Sequence, residues 1–215
     1  MAGRAAKLTA AAVARRAARV RLVGLDVDGV LTDGRLYFGA RGEALKAFDV
    51  RDGLGIQLLR AAGIAVAIVT GRSSSIVAAR ARDLGVTHVL QGQRDKHASL
   101  QRLMAAGGLT AAECAYMGDD WPDLAALDSV GLSATVADAP EELRRRVHWV
   151  APSAGGRGAV RDLTALILRA QGRFDAMFEA ALQPAPFVAS PGADGPAPAR
   201  RRAATRPAKR GSTHG

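Results

Sequence analysis

Between residues 22 and 182 short apolar runs alternate with segments of helical pattern, and this alternation constrains the fold more than any other feature of the chain. "RLVGLDV", "IAVAIVT", "VTHVLQG", "CAYMGDD", "LSATVA" and "HWVAP" read as strands. "GLGIQLLRAAG", "SSIVAARARDLG", "KHASLQRLMAAGG", "WPDLAALDSVG" and "APEELRRRV" read as helices between them, several stopping at a glycine. A continuous apolar run such as "IAVAIVT" suits a strand covered on both faces. Strand and helix in alternation imply parallel β-α-β units with right-handed crossovers. The expected fold class is α/β, a doubly wound parallel sheet with helices on both faces. One interval departs from the pattern: residues 34–50, "GRLYFGARGEALKAFDV", read as strand, glycine-containing turn and strand. This β-hairpin interrupts the passage from the first strand to the first helix, where it overhangs the carboxyl end of the sheet.

The formal charge of +10 suggests a polyanion partner until it is located. Residues 1–21 hold six basic side chains and no acid, and residues 183–215 hold six more against Asp194 alone. The remaining 161 residues, 22–182, carry 18 basic and 19 acidic side chains, a net of −1. The basicity belongs to the ends, so nucleic acid is not an expected partner of the domain. Residues 1–21 are expected to be a frayed, helix-prone extension, and 183–215, rich in Pro, Gly, Ala and Arg, a disordered basic tail. One cysteine, Cys114, excludes an intramolecular disulfide and argues against a thiolate metal site; a reducing, cytoplasmic setting is the simplest expectation. No apolar run reaches the roughly 18 to 20 residues of a membrane span.

Ligands of open α/β sheets bind outside the carboxyl ends of the strands. There the sequence places Asp26 and Asp28 after the first strand, Thr70-Gly71-Arg72 after the second, Lys96 after the third, and Asp119, Asp120 and Asp123 after the fourth. Carboxylates so gathered raise one another's pKa unless a cation joins them. All-oxygen ligation suits Mg²⁺, which binds through one or two carboxylates plus a substrate phosphate. Lys96, the Thr70 hydroxyl and the Gly71 amide suit phosphoryl oxygens. Asp26 is then placed to attack phosphorus, and Asp28, two residues on, to exchange a proton with the leaving alkoxide and with water. Thr70 also suits a helix N-cap, and Asp120 and Asp123 suit a helix start.

"DVDGVLTDG", with Thr70, Lys96 and "GDDWPD" following in order, resembles the four-motif set of haloacid dehalogenase-type phosphatases. Through "GEALKAFDVRDGLGI", "TGRSS", "THVLQGQRDK", "MGDDWPDL" and "AGGRGAVRDLTALILRAQG" the likeness covers residues 22–182. It narrows to the capless branch of that superfamily that hydrolyses 3-deoxy-D-manno-octulosonate (KDO) 8-phosphate for lipopolysaccharide assembly. The resemblance implies that Asp26, the carbonyl of Asp28, and Asp119 bind the metal, with Asp120 and Asp123 in support. It further implies that Asp28, Asp49, Val50, Arg51, Asp52, Gly53, Gln57, Gly71, Arg72, Arg80 and Lys96 bind substrate. Guanidinium forks at Arg51, Arg72 and Arg80 suit a substrate that bears both carboxylate and phosphate. The same likeness implies no separate cap domain, a homotetramer assembled through the 34–50 hairpin, and a mobile "AGGRGAVR" segment near the site. Asp49, Gln57 and Ala125 depart from residues common in that branch. A phosphatase for the 9-phosphate of a nine-carbon sugar acid is the near alternative. A receiver-type phosphoacceptor is the distant one, and Asp28 argues against it because an acid/base beside the nucleophile hastens hydrolysis.

Overall fold

The structure, a computed structural model, describes residues 8–181; the tail expected at 183–215 lies outside the described residues. Helix α1 (Ala10–Ala17) leads into strand β1 (Leu22–Leu25) and then the hairpin β2 (Tyr37–Gly39) and β3 (Gly42–Leu45). Alternation follows: α2 (Val50–Ala61), β4 (Ala65–Val69), α3 (Ser75–Asp83), β5 (His88–Leu90), α4 (Lys96–Ala106), β6 (Cys114–Met117), α5 (Leu124–Asp128), β7 (Leu132–Thr135), α6 (Glu141–Arg144) and β8 (Trp149–Val150). Helices α7 (Ala159–Ala170) and α8 (Phe174–Ala181) close the described chain.

Six strands form one parallel sheet in the order β5-β4-β1-β6-β7-β8, and the hairpin is a separate antiparallel pair, as the sequence pattern implies. From β1 the chain winds outward through β4 to β5, returns past β1 to β6, and winds the other way. Right-handed crossovers then put α2 and α3 on one face and α4, α5 and α6 on the other. Helix α7 packs back on α2, and α4 packs on α5. All four residues of β1, β6 and β7 are buried, so the sheet centre is covered on both sides.

Register sets the height of the site. Leu25 pairs with Ile68 on one side and Met117 on the other. Asp26 therefore leaves the sheet level with Val69 and Gly118, and Thr70 and Asp119 each stand one residue beyond. Three side chains distant in sequence emerge at one edge because three strands end together.

The structure differs from the sequence expectation at three places. Residues 10–17, expected to fray, form a helix capped by Thr9, and its Val13 and Ala17 enter the core against α7. The hairpin ends at Leu45, and α2 begins at Val50, four residues before the apolar pattern signals it. Asp49 caps that helix by accepting from the Arg51 amide at 2.7 Å, and Gly55 lets α7 come close, since a Cβ there would lie 2.9 Å from Thr164 Oγ1. "WPDLAALDSVG" splits into a 3₁₀ turn, Trp121–Asp123, and the short α5, because Asp120 and Asp123 cap the turn first.

If α1 belongs to the core, charging its buried face is costly. Val13→Asp lowers unfolding free energy in urea by about 2 to 4 kcal/mol, whereas Arg15→Asp, on the exposed face, stays within about 0.5 kcal/mol.

Candidate active site

Asp26 follows β1 directly and its amide donates to the Met117 carbonyl at 3.0 Å, which fixes the first residue beyond the sheet. Its side chain is buried, with the residue only 6% exposed. Lys96 opens α4, capped by Asp95, and reaches back over the sheet edge. Its Nζ stands 2.8 Å from Asp26 Oδ2 and 2.7 Å from Asp123 Oδ1. Asp123 accepts three further bonds, from the Tyr116 hydroxyl at 2.7 Å and from the amides of Asp119 and Asp120 at 3.1 and 3.3 Å. Carboxylate oxygens of Asp26, Asp119 and Asp123 lie within 4.8 Å of one another. Asp26 Oδ1 is buried and finds no hydrogen-bond partner among the described residues.

One ammonium cannot neutralise three carboxylates. Burial, and then the charge of Asp123, push the Asp26 carboxyl up to about 6 against the opposing pull of Lys96. Burial together with the charges of Asp26 and Asp123 pushes Asp119 up to about 8. Burial pulls the Lys96 ammonium down, but Asp26 and Asp123 outweigh it and hold the group above its ordinary value. Asp119 also presses on the loop after β1: Gly29 has φ +92°, and a Cβ there would fall 2.0 Å from Asp119 Oδ2. A hard divalent cation fits this donor set. The donors are all oxygen, one is buried without a partner, and charge is in deficit by more than one unit.

The Asp28 carboxylate is not one of the three that gather at the cluster, and its charge partners are Lys46 and Arg72. Lys46, from the hairpin side, forms an ion pair with Asp28 Oδ1 and another with Glu43 at 3.0 Å, and its side chain is only 2% exposed. Arg72 approaches Asp28 Oδ2 at 3.7 Å and Glu43 at 3.6 Å while lying over the Phe38 ring. Glu43 accepts from the Ser74 hydroxyl, and the Ser74 amide donates to Gln91 Oε1 at 2.6 Å. The hairpin is thus pinned over the edge of its own sheet. Sequence reasoning singled out neither Glu43, Lys46, Ser74 nor Gln91. The stretch "GEALK" gave the one usable signal, two opposite charges three residues apart beside an acidic site.

The remaining expected site residues divide. Thr70 is buried at the β4 end, and its Oγ1 accepts from the Arg72 amide at 3.4 Å, with exposed Gly71 between them. Asp120 is a cap, accepting from the Trp121 amide at 2.8 Å. Arg51 grips Asp49 at 2.7 Å and the Arg157 carbonyl at 2.8 Å, beside the exposed Val50. Arg80 pairs with Asp83, lies over Phe48 and covers Gly53. Gln57 is half-buried further along α2. Asp52 is 1% exposed, with both oxygens taken by backbone amides of the α7 start. None of Asp52, Gln57 and Arg80 makes a hydrogen bond or ion pair to the acidic cluster.

Comparison with known proteins places this edge in a family. The model for haloacid dehalogenase-like hydrolases matches residues 77–162. The 3-deoxy-D-manno-octulosonate 8-phosphate phosphatase KdsC of Yersinia pestis is 47% identical over 163 residues, 76% of this chain and 87% of that protein. The chain belongs to the haloacid dehalogenase-like hydrolases. Solved relatives agree with that membership. The Moraxella catarrhalis phosphatase of the same name, in complex with magnesium, phosphate and KDO, is 43% identical with a TM-score of 0.76, covering 80% of this chain and 98% of that one. A cobalt-bound form from Haemophilus influenzae is also 43% identical, with a TM-score of 0.75 and coverage of 77% and 97%.

The raised carboxyls fix a pH dependence for this hydrolase when metal-free. Folded Asp26 and Asp119 hold protons that the unfolded chain has lost, so stability falls as pH rises from about 4, near the ordinary 3.8, to about 8. Millimolar Mg²⁺ raises the melting temperature at pH 8 and flattens that slope. Asp119→Asn raises the metal-free stability by about 1 kcal/mol or more and loses most of the magnesium-induced gain, as thermal melts with and without EDTA will register.

Proposed function

We propose that the protein is a magnesium-dependent phosphomonoesterase that hydrolyses KDO 8-phosphate to KDO and inorganic phosphate through an aspartyl-phosphate at Asp26. The observation that carries this reading is the Asp26 carboxylate itself: one oxygen is held by Lys96 at 2.8 Å and the other is buried without a partner. A nucleophile so held presents a single oxygen in a fixed direction, which supplies much of the entropic advantage of an enclosed reaction.

In the first step an Asp26 oxygen bonds to phosphorus and the ester oxygen departs with the bonding pair. Asp28 gives that alkoxide its proton. In the second step Asp28 takes a proton from water, the hydroxyl attacks the acyl-phosphate, and Asp26 is released with inorganic phosphate. Lys96, the Thr70 hydroxyl and the Gly71 amide face the transferring phosphoryl oxygens, where charge builds. Magnesium, held by Asp26, the Asp28 carbonyl and Asp119, would neutralise phosphoryl charge when bound. Lys46, itself paired with Glu43, holds Asp28. Arg51 and Arg72, with Asp49, Val50 and Gly53, take the sugar acid. Asp120 and Asp123 serve as supports.

Assembly belongs to the same proposal. Leu36, Tyr37, Phe38 and Leu45 on and beside the hairpin, with Val50 and Leu54 on α2, are large apolar side chains left exposed. They support a homotetramer built through the hairpin. No helix among the described residues is long and apolar enough to cross a membrane.

Purified protein with Mg²⁺ should release phosphate from KDO 8-phosphate faster than from the 9-phosphate of a nine-carbon sugar acid, and EDTA should stop it. Asp26→Asn should lower kcat by about 10³-fold or more. Release that survives EDTA, or an Asp26→Asn variant of full activity, overturns the mechanism. A long-lived phosphoprotein without turnover would instead mark a phosphoacceptor.

A further inference from the structure

Asp52 is the one acidic residue of the 49–53 turn that is withdrawn from solvent. It sits in the first turn of α2, yet its bonds cross to another part of the chain. Oδ2 accepts from the Gly158 amide at 3.1 Å and Oδ1 from the Arg161 amide at 2.9 Å. The start of α7 therefore borrows its cap from α2, because Gly158, the residue in the N-cap place, has no side chain to supply one. The neighbouring Arg51 reaches the same segment, donating to the Arg157 carbonyl at 2.8 Å.

Residues 154–158 in turn touch the loop that follows Asp26. The Gly156 amide donates to the Val30 carbonyl at 2.9 Å, and Gly155 packs so closely that a Cβ there would lie 1.9 Å from the Gly29 oxygen. Gly29 abuts Asp119. A continuous path of hydrogen bonds and backbone contact thus runs from the α2 turn, through Asp52 and the 154–158 loop, to the catalytic loop.

We propose that Asp52 is a positioning residue, not a substrate ligand: it clamps the 154–158 loop to α2 and so fixes where Arg51 stands relative to Asp26. Both carboxylate oxygens are occupied by amides, so a sugar hydroxyl would have to displace one of them, and the anionic end of a substrate would meet a like charge. Arg51, exposed and turned toward the same loop, remains the group able to receive a carboxylate. The inference rests on the assignment of Arg51 and its neighbours Asp49, Val50 and Gly53 to the sugar end made above.

Two substrates and two variants test it in full-length, magnesium-loaded protein. p-Nitrophenyl phosphate needs the catalytic loop but offers nothing to Arg51; KDO 8-phosphate needs both. Asp52→Ala should raise KM for KDO 8-phosphate by ~10-fold and leave kcat on p-nitrophenyl phosphate within ~2-fold. Asp52→Asn, which keeps one acceptor oxygen, should recover part of the KM. Hydrogen exchange read at the Gly158 and Arg161 amides should quicken in Asp52→Ala. An equal loss on both substrates, an unchanged KM for the sugar phosphate, or unchanged exchange at those amides overturns the clamp. Failure of the unaltered protein to turn over KDO 8-phosphate would instead strike the substrate assignment, and the exchange measurement would still decide whether the clamp exists.

Discussion

The ion pair of Lys96 with Asp26 and Asp123 is the interaction on which the rest of the edge depends. Three carboxylates gathered beyond two neighbouring strand ends, those of β1 and β6, could not stay ionised in a buried pocket without a positive group among them. A buried pair recovers its desolvation cost only when its remaining hydrogen-bonding capacity is met. Asp123 meets that condition through Tyr116 and two backbone amides, so it can anchor Lys96 from below. The lysine then spends its other contact on one Asp26 oxygen and leaves the second free. The contact that holds the acids in place is also the one that leaves a single Asp26 oxygen without a donor.

The hairpin solves a different problem, that of covering an active site from a chain with no further domain among its described residues. Two short antiparallel strands have little stability alone. Here they gain it from charge pairing at the site itself, with Lys46 and Arg72 set against Asp28 and Glu43, and Ser74 tied to Glu43. The two cations nearest Asp28 are therefore also the groups that hold the hairpin's Glu43. Docking of the hairpin and the surroundings of Asp28 draw on the same charges.

What the sequence reveals depends on whether a signal is local. Strands β1, β4, β6 and β7 are legible because buried parallel strands are continuous apolar runs, and Asp26, Thr70 and Asp119 follow them by one or two residues. Lys96 is legible for the same reason, being a lysine at a helix start beyond a strand. The start of α2 is not: Val50 is β-branched and Gly53 is a poor helix former, so local propensity argues against a helix that Asp49 and the packing of α7 impose. Helix α1 is obscured by composition, since an Ala- and Arg-rich segment buries only Val13 and Ala17 and otherwise looks like an extension. Lys46 and Glu43 escape notice because charges on a hairpin ordinarily face water.

The aspartates show why residue type and motif position do not by themselves assign a role. Asp26, Asp123 and Asp52 are buried and Asp119 half-buried, and all lie close to the carboxyl edge or to loops that border it, yet they differ in what donates to them. Asp52 has both oxygens satisfied by amides of α7, and Asp123 has four donors including a lysine. Asp26 keeps an oxygen with no donor, and burial and neighbouring charge hold Asp119 protonated up to about 8. Carboxylates whose lone pairs are filled by backbone are fixtures of the fold, because any ligand must first break a buried hydrogen bond. Those left short of donors carry an electrostatic cost in the folded chain that only a cation or a proton relieves. The division between scaffold and chemistry at this edge is therefore set by where backbone amides run out.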